Sequence, residues 1–356
     1  MSIPRIGHHD LEISCFRMKG HGLFLALFLM LGGFGRGLSQ TALWQPVDQT
    51  NIVAQSQPGT PSQNVVQPQI FKAFALDSAA LSATLAGAPS ESKQAAAFSK
   101  TFITVPMPDG TVANFRFVEA PIMEPALAKK FPQIKTYLGQ GVDDPQAVIR
   151  FDLTPAGFHG QVLSPSGTVY IDPSATGDTN VYASYYKRDY ARATDDFQCL
   201  TEGGSAQKTG MSQMAVKEVV SGGNLRIYRL ACAATAEYTT FFNGTVASAL
   251  SGIVTAINRV DGIYESELAV RLVLVANNDQ IVYTNAATDP YSNSVPSTLL
   301  MQNQSNLDFV IGSANYDIGH VFGTGGGGLA GVAVVGDANK KAWGETGVPT
   351  PIGDPF

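Results

Sequence analysis

The segment from Leu225 to Asn278 constrains the fold more than any other. "LRIYRLACAA" opens it as a strand, and "AVRLVLVANN" closes it with a second strand, dense in Val and Leu as in a strand buried on both faces. Between them Val246, Leu250, Ile253, Ile257, Val260 and Tyr264 recur at three- and four-residue steps, one apolar face of an amphipathic helix. Strand, long helix, strand is a βαβ unit, which predicts a parallel pair and a right-handed crossover. A further helix is expected in "STLLMQNQSNLDFVIG" and a further strand in "LAGVAVVG". Residues 224–356 therefore read as α/β.

Upstream the pattern differs. In "TFITVPMPDGTVANFRFVEA" two β-rich runs flank Pro108-Asp109-Gly110, a hairpin with clear turn chemistry. "ALAKKFPQIKTYLGQG" reads as a helix that stops at glycines, and "AVIRFDLTPAGFHGQVLSPSGTVYIDP" as short strands between Pro/Gly turns. Residues 71–200 are thus expected to be a mostly β, α+β domain. Residues 40–70 are rich in Gln, Ser, Pro and Asn and read as a linker; 201–223, rich in Gly, Ser and Lys, read as an exposed connector open to proteases. A length of 356 residues suits about two domains. A net charge of −6 without a dense Lys/Arg run argues against nucleic acid or an anionic membrane as main partner.

Residues 1–39 read as a leader. Arg17 and Lys19 precede "LFLALFLML", Leu23 to Leu31, and Gly37-Leu38-Ser39 supplies small residues for cleavage. The run is too short to span a bilayer and suits a signal peptide, with Met18 as the expected start. A secreted protein with no stable membrane insertion after cleavage is expected, an uncleaved anchor being the alternative. Only Cys199 and Cys232 then remain, too few for a disulfide scaffold, though two cysteines in an oxidising compartment can pair.

"YDIGHVFGTGGGGLAGVAVVGD", Tyr316 to Asp337, contains G-x-G-x-x-G at Gly323, Gly325 and Gly328. A dinucleotide fingerprint needs those glycines to open a helix whose amides receive the pyrophosphate. A β-branched run with an internal glycine follows instead. Glu345 stands at the spacing of a ribose-binding acid, but no complete βαβ unit follows, and no Gly-Lys-Ser/Thr makes a P-loop. His320 and His159 each lack a second ligand at metal spacing and read as structural. What the glycines offer is a loop into a sheet-edge strand, able to hold an extended peptide by β-augmentation.

"RIYRLACAATAEYTTFF", "IVTAINRVDGIYESELAVRLVLVAN", "IVYTN" and "NYDIGHVFGTGGGGLAGVAVVG", in that order, resemble the N-terminal half of a reprolysin-like (adamalysin-type) zinc metallopeptidase, a metzincin, and most of all the secreted bacterial type. Residues 71–200 resemble the pro-region of such enzymes, notably in "VPMPDG", "FRFVEAPIMEPALAKKFPQIKTYLGQG" and "TVYIDP". The resemblance implies an α+β pro-region followed by an incomplete α/β metzincin-like catalytic domain, a mixed sheet with a long βαβ crossover helix. It implies a protein or peptide substrate, paired antiparallel with an edge strand at Leu329, Ala330, Gly331, Val332, Ala333 and Val334. The family's chemistry resides in H-E-x-x-H-x-x-G-x-x-H, three zinc-binding histidines and a glutamate base acting on metal-bound water. No such motif occurs here: His8, His9 and His21 lie in the leader, and His159 and His320 complete the set. The chain is therefore expected to be a fragment ending before the motif, with zinc in the complete enzyme, none bound here and no catalytic residue of its own.

Three readings stand for Cys199: the pro-region thiolate that holds many metzincins latent on zinc, a disulfide with Cys232, or a plain partly buried cysteine. Cys232 reads as packing in a core strand. Glu237 and Asp261 suit calcium, or stand as solvated charges flanking helices, which is the expectation. Asn243-Gly-Thr and Asn303-Gln-Ser match a glycosylation pattern that matters only in a eukaryotic secretory pathway. Two functions follow. One is a secreted zinc metalloendopeptidase at the level of the full gene product; the alternative is a non-catalytic secreted peptide- or protease-binding protein.

Overall fold

The computed structural model describes residues 42–48, 68–190 except 176, 199–201 and 223–351. The expected leader and almost all of the connector lie outside the described residues. Two sheets organise the rest.

The first sheet has nine strands: β1 (Trp44–Val47), β2 (Lys72–Leu76), β3 (Phe102–Pro106), β4 (Val112–Glu119), β5 (Lys135–Gly141), β6 (Val148–Thr154), β7 (Gly157–Leu163), β8 (Val169–Pro173) and β9 (Val181–Tyr186). Their order is β1-β2-β9-β8-β7-β6-β5-β4-β3, with every neighbouring pair antiparallel. The β3–β4 hairpin turns over Met107–Thr111, where Gly110 takes φ 92°. Two short helices belong to this part, α1 (Ser78–Ala86), capped by Asp77, and α2 (Pro125–Lys130).

Two expectations change here. The helix predicted from Ala126 to the glycines ends at Lys130, because Pro132 cannot continue it, and Lys135–Gly141 is a strand. The stretch expected as a linker begins with β1. Trp44 accounts for that: only 4% exposed, it donates its indole N–H to Thr104 O at 2.8 Å and stands edge-on to Phe158 and Tyr182. Burying one such side chain stabilises by a few kcal/mol, on the order of 2–3.

Strand alternation divides the first sheet into two unlike faces. Phe115, Phe117, Phe151, Phe158, Val162 and Ile171 fill an apolar interior. The opposite side of β6, β7 and β8 carries Arg150, Asp152, His159, Gln161, Tyr170 and Asp172, and all of these but His159 are buried.

The second sheet has five strands: β10 (Arg226–Ala234), β11 (Val270–Leu274), β12 (Ile318–Gly323), β13 (Gly327–Ala330) and β14 (Gly344–Gly347). Its order is β11-β10-β12-β14-β13, parallel throughout except for the last pair. Between β10 and β11 run α3 (Ala236–Phe241) and α4 (Val246–Leu268); α5 (Pro296–Leu307) follows β11. A reciprocal capping box between Thr245 and Ser248 starts α4, and Ala269 ends it at φ 53°. Leu250, Ile253, Val254 and Ile257 of α4 pack with Leu230, Cys232, Leu272 and Leu274 of the sheet. Among the described residues no helix is long and apolar enough to cross a membrane.

Helix α4 also has a second buried side, against the polar face of the first sheet. Thr255 donates to Asp152 at 3.1 Å, and His159 Nδ1 lies 3.1 Å from the same oxygen. Arg150 reaches Asn258 at 3.3 Å and pairs with Glu265. Arg259 pairs with Asp172 at 2.5 Å and lies over the Tyr170 ring, while Tyr185 donates to the other Asp172 oxygen at 2.7 Å. Gly262 permits the approach, since a Cβ there would lie 2.8 Å from Gln161 Oε1.

Asp261, expected as a solvated charge or a calcium ligand, is buried within this junction. Its Oδ1 accepts the Leu272 N–H at 2.8 Å, and its Oδ2 finds no partner among the described residues. Burial pushes its carboxyl up to about 7, against the pull of the Leu272 amide and Arg150. The folded protein thus keeps a proton that the unfolded chain, with the ordinary aspartate value of 3.8, has lost. Stability from this group is fully present below the unfolded value and is lost as pH rises to about 7. The slope is at most about 1.4 kcal/mol per pH unit. Asp261→Asn keeps the acceptor and is expected to flatten that slope, as urea midpoints at about pH 5 and about pH 8 would show. Glu345 is buried and likewise raised to about 7, so its share of the slope remains in the variant.

Candidate active-site edge

The glycine-rich loop joins two strands, β12 and β13, rather than a strand and a helix. Its shape is held by Asn293, whose Oδ1 accepts the Thr324 N–H at 2.9 Å and the Thr235 hydroxyl at 3.1 Å, while its Nδ2 donates to Thr324 Oγ1 at 2.9 Å. Thr235 is the N-cap of α3, and its N–H donates to Phe322 O at 2.9 Å. One amide therefore ties the loop to both the end of β10 and the start of α3. Gly325 has no room for a side chain, because a Cβ there would lie 2.2 Å from Asn293 O. Gly327 takes φ 107° as the chain enters β13.

Strand β13 is the sheet edge, hydrogen-bonded to β14 on one side. It is shorter than the sequence suggested. Leu329 and Ala330 belong to it, and Gly331 still donates to Trp343 O at 2.8 Å, but Val332 and Ala333 form a turn beyond it and Val334 is outside the strand. Ala333 adopts φ 60° and Asp337 N–H bonds Val334 O at 2.9 Å, which breaks the extended run.

The outer side of β13 is occupied by the chain's own Cys199–Thr201 segment. Leu200 N–H donates to Gly328 O at 2.8 Å, Ala330 N–H donates to Thr201 Oγ1 at 3.1 Å, and Cys199 pairs with Gly328 in a parallel bridge. Cys199 is an exposed free thiol, and Cys232 is free and buried in β10, so the disulfide reading is set aside. Asn278 brackets Cys232, accepting its N–H at 2.8 Å and donating to its carbonyl at 2.9 Å. Burial raises the Cys232 thiol far above its ordinary value, which makes it inert.

The two described histidines play structural parts. His320, on β12, has Nε2 at 3.0 Å from Thr346 Oγ1 and its ring 5.2 Å from that of Phe322. Burial pushes its pKa down to about 4, so it is neutral near pH 7. His159 belongs to the polar layer under α4, within the first sheet. Glu237 is exposed in the first turn of α3, where the helix dipole favours an acid. Asn303 is wholly buried, with its Nδ2 donating to Ala342 O, and cannot receive a glycan in the folded chain; Asn243 is exposed. Among the described residues no group of three or more His, Cys, Asp and Glu could hold a metal ion.

Sequence reasoning singled out Cys199 and the Leu329–Val334 stretch separately; the structure sets Cys199 against Gly328, one residue before that stretch. It missed Asn293, Thr324 and Thr201. A single Asn in a polar loop carries no periodic signal; the density of glycines opposite it was the one available hint.

Residues 224–346 match the family described as metallo-peptidase family M12B, reprolysin-like. No curated protein matches the chain. The family is zinc-dependent, and its members act on proteins. The described residues do not fit a zinc centre: His159 and His320 lie on different sheets, each engaged with its own partner. No catalytic step through zinc is derived for this chain.

Proposed function

We propose, from the match of residues 224–346 to the reprolysin-like M12B metallopeptidases, that the chain is the pro-region and first part of the catalytic domain of a secreted zinc metalloendopeptidase. In this reading residues 71–200 are the pro-region, 201–223 the connector cut on activation, and 1–39 the secretory leader. H-E-x-x-H-x-x-G-x-x-H does not occur among these 356 residues, and this reading assigns the zinc-binding segment to a longer gene product.

The observation that carries the reading is the occupied edge of β13. Backbone groups suited to an extended substrate are already engaged by Leu200 and Thr201, at the end of the proposed pro-region. A free thiol at Cys199 stands beside them, as a latency ligand for the absent metal requires. Calcium remains compatible with the family but has no site of three or more acids among the described residues.

A zinc-free protein that binds peptides or a protease is the second reading. The same pairing favours it, because β13 holds an extended segment through hydrogen bonds of Leu200 and Thr201.

Purified residues 40–356 are expected to leave casein intact with or without added zinc; chelator-sensitive cleavage would overturn the fragment reading. Sequencing the source DNA past codon 356 is expected to reveal H-E-x-x-H-x-x-G-x-x-H, and an authentic stop codon would favour the binding protein. Leu200→Pro removes the donor to Gly328 and is expected to open β13. A fluorescent extended peptide should then bind about tenfold more tightly than to the parent chain. Equal anisotropy titrations for the two proteins would show that this segment does not block the edge.

A further inference from the structure

The other edge of the second sheet is also filled, and by a different part of the chain. Leu274 N–H donates to Ile122 O at 2.8 Å, and Glu124 N–H donates to Leu274 O at 2.9 Å, so Met123 pairs with Leu274 in a parallel bridge. Glu124 Oε2 accepts the Ala276 N–H at 3.1 Å. Lys130 closes the far end with both oxygens of Asp279, at 2.7 and 2.9 Å. Ile122, Met123, Leu127 and Ile134 are buried in the same apolar cluster as Leu230, Leu272 and Leu274.

This contact differs in kind from the one beneath α4. There the two parts meet through charges and hydroxyls that water can replace on separation. At β11 they meet through a strand edge and four apolar side chains. Departure of residues 71–200 would bare an unpaired N–H and C=O at Leu274 beside an apolar surface, the combination that takes up another extended chain.

We propose that the outer edge of β11 is a second peptide-docking site, away from β13, for an extended protein segment with two adjacent apolar residues followed by an acid. Ile122-Met123-Glu124 is its resident occupant, and a segment of an incoming protein with the same pattern replaces it. The acid is required because its carboxylate takes the Ala276 amide, while the two apolar side chains enter the Leu272–Leu274 cluster. The physiological use of the site rests on the proposed release of the pro-region.

The test uses residues 40–356 carrying Ile122→Asp and Met123→Asp, which expel the resident segment while α4 still holds the first sheet. The probe is a fluorescent synthetic peptide with the sequence of residues 119–134. It should bind the variant saturably and the parent at least about tenfold more weakly, and a Gln in place of the peptide's Glu124 should weaken binding about tenfold. Absence of saturable binding to a variant with parental circular dichroism overturns the site, as does a variant that dimerises through the freed edge. Should that variant not fold, Glu124→Ala replaces it: amide exchange at Leu274 and Ala276 should quicken, and excess peptide should slow it again. Failure of the peptide to do so overturns the site equally. Release is read separately, by gel filtration after tryptic cutting of the connector. Co-elution of the two pieces counts against pro-region release, and peptide binding to the variant stands on its own.

Discussion

Arg259→Ala is expected to destabilise the protein by about 3–5 kcal/mol. The side chain lies 13% exposed between α4 and β8, paired at 2.5 Å with Asp172, which is itself 4% exposed. Truncation would leave that carboxylate buried with the Tyr185 hydroxyl as its one remaining side-chain hydrogen-bond partner among the described residues, and would empty the space over the Tyr170 ring. The penalty arises from the stranded charge more than from the lost attraction, so the partner's identity controls it. Arg259→Met with Asp172→Asn removes both charges and keeps an acceptor for Tyr185; it should recover most of the loss. Urea unfolding of the single and double variants at one pH measures both quantities. A deficit below about 1 kcal/mol for Arg259→Ala would mean that the pair behaves as a solvated surface contact.

Gly325→Ala is the second substitution with a large expected effect, about 2–3 kcal/mol. The added methyl would meet Asn293 O at 2.2 Å, and both Asn293 C and Ser294 Cα lie within 3.4 Å. All three are backbone atoms and cannot swing aside as a side-chain tip does. Nor can the loop retreat, because Gly347 packs so tightly on Gly325 that a Cβ at 347 would lie 2.4 Å from Gly325 O. Relief must come from shifting β13, which should also loosen Leu200. Faster amide exchange at Leu200 together with a lowered unfolding midpoint is the expected pair of results. A midpoint shift without the exchange change would place the strain elsewhere.

Parts of this architecture are legible in residue order. The apolar period from Val246 is met by a helix over Val246–Leu268 that buries Leu250, Ile253 and Ile257, and Pro108-Asp109-Gly110 sits where β3 turns into β4. Tyr264, the last residue of that apolar series, is 38% exposed. What periodicity could not supply was the second buried side of α4. In "VIRFDLT" the alternation of Arg150, Asp152 and Thr154 with apolar residues is that of a strand with one wet face, yet that face lies under a helix. A polar face satisfied by protein and one satisfied by water look alike in sequence. The length of β13 was misjudged for a related reason: β-branched residues at Val332, Val334 and Val335 favour strands, but a left-handed backbone at Ala333 ends the run. The Cys199 pairing with Gly328 joins residues far apart in the chain, and nothing in the residue order pointed to it.

The strand orders of the two sheets also set a timetable. From β3 to β9 each strand lies beside its successor, so seven strands can zip up through short loop closures. In the second sheet β10 must find β12, with Leu230 opposite Ile318, and β14 must slip between β12 and β13. Such distant closures are slow, so the meander is expected to assemble first and to offer α4 a finished surface on arrival. Pulse-labelled exchange during refolding should find the amides of β6 and β7 protected before those of β12. A chain made without its first sheet would then lack its early scaffold as well as its later cover.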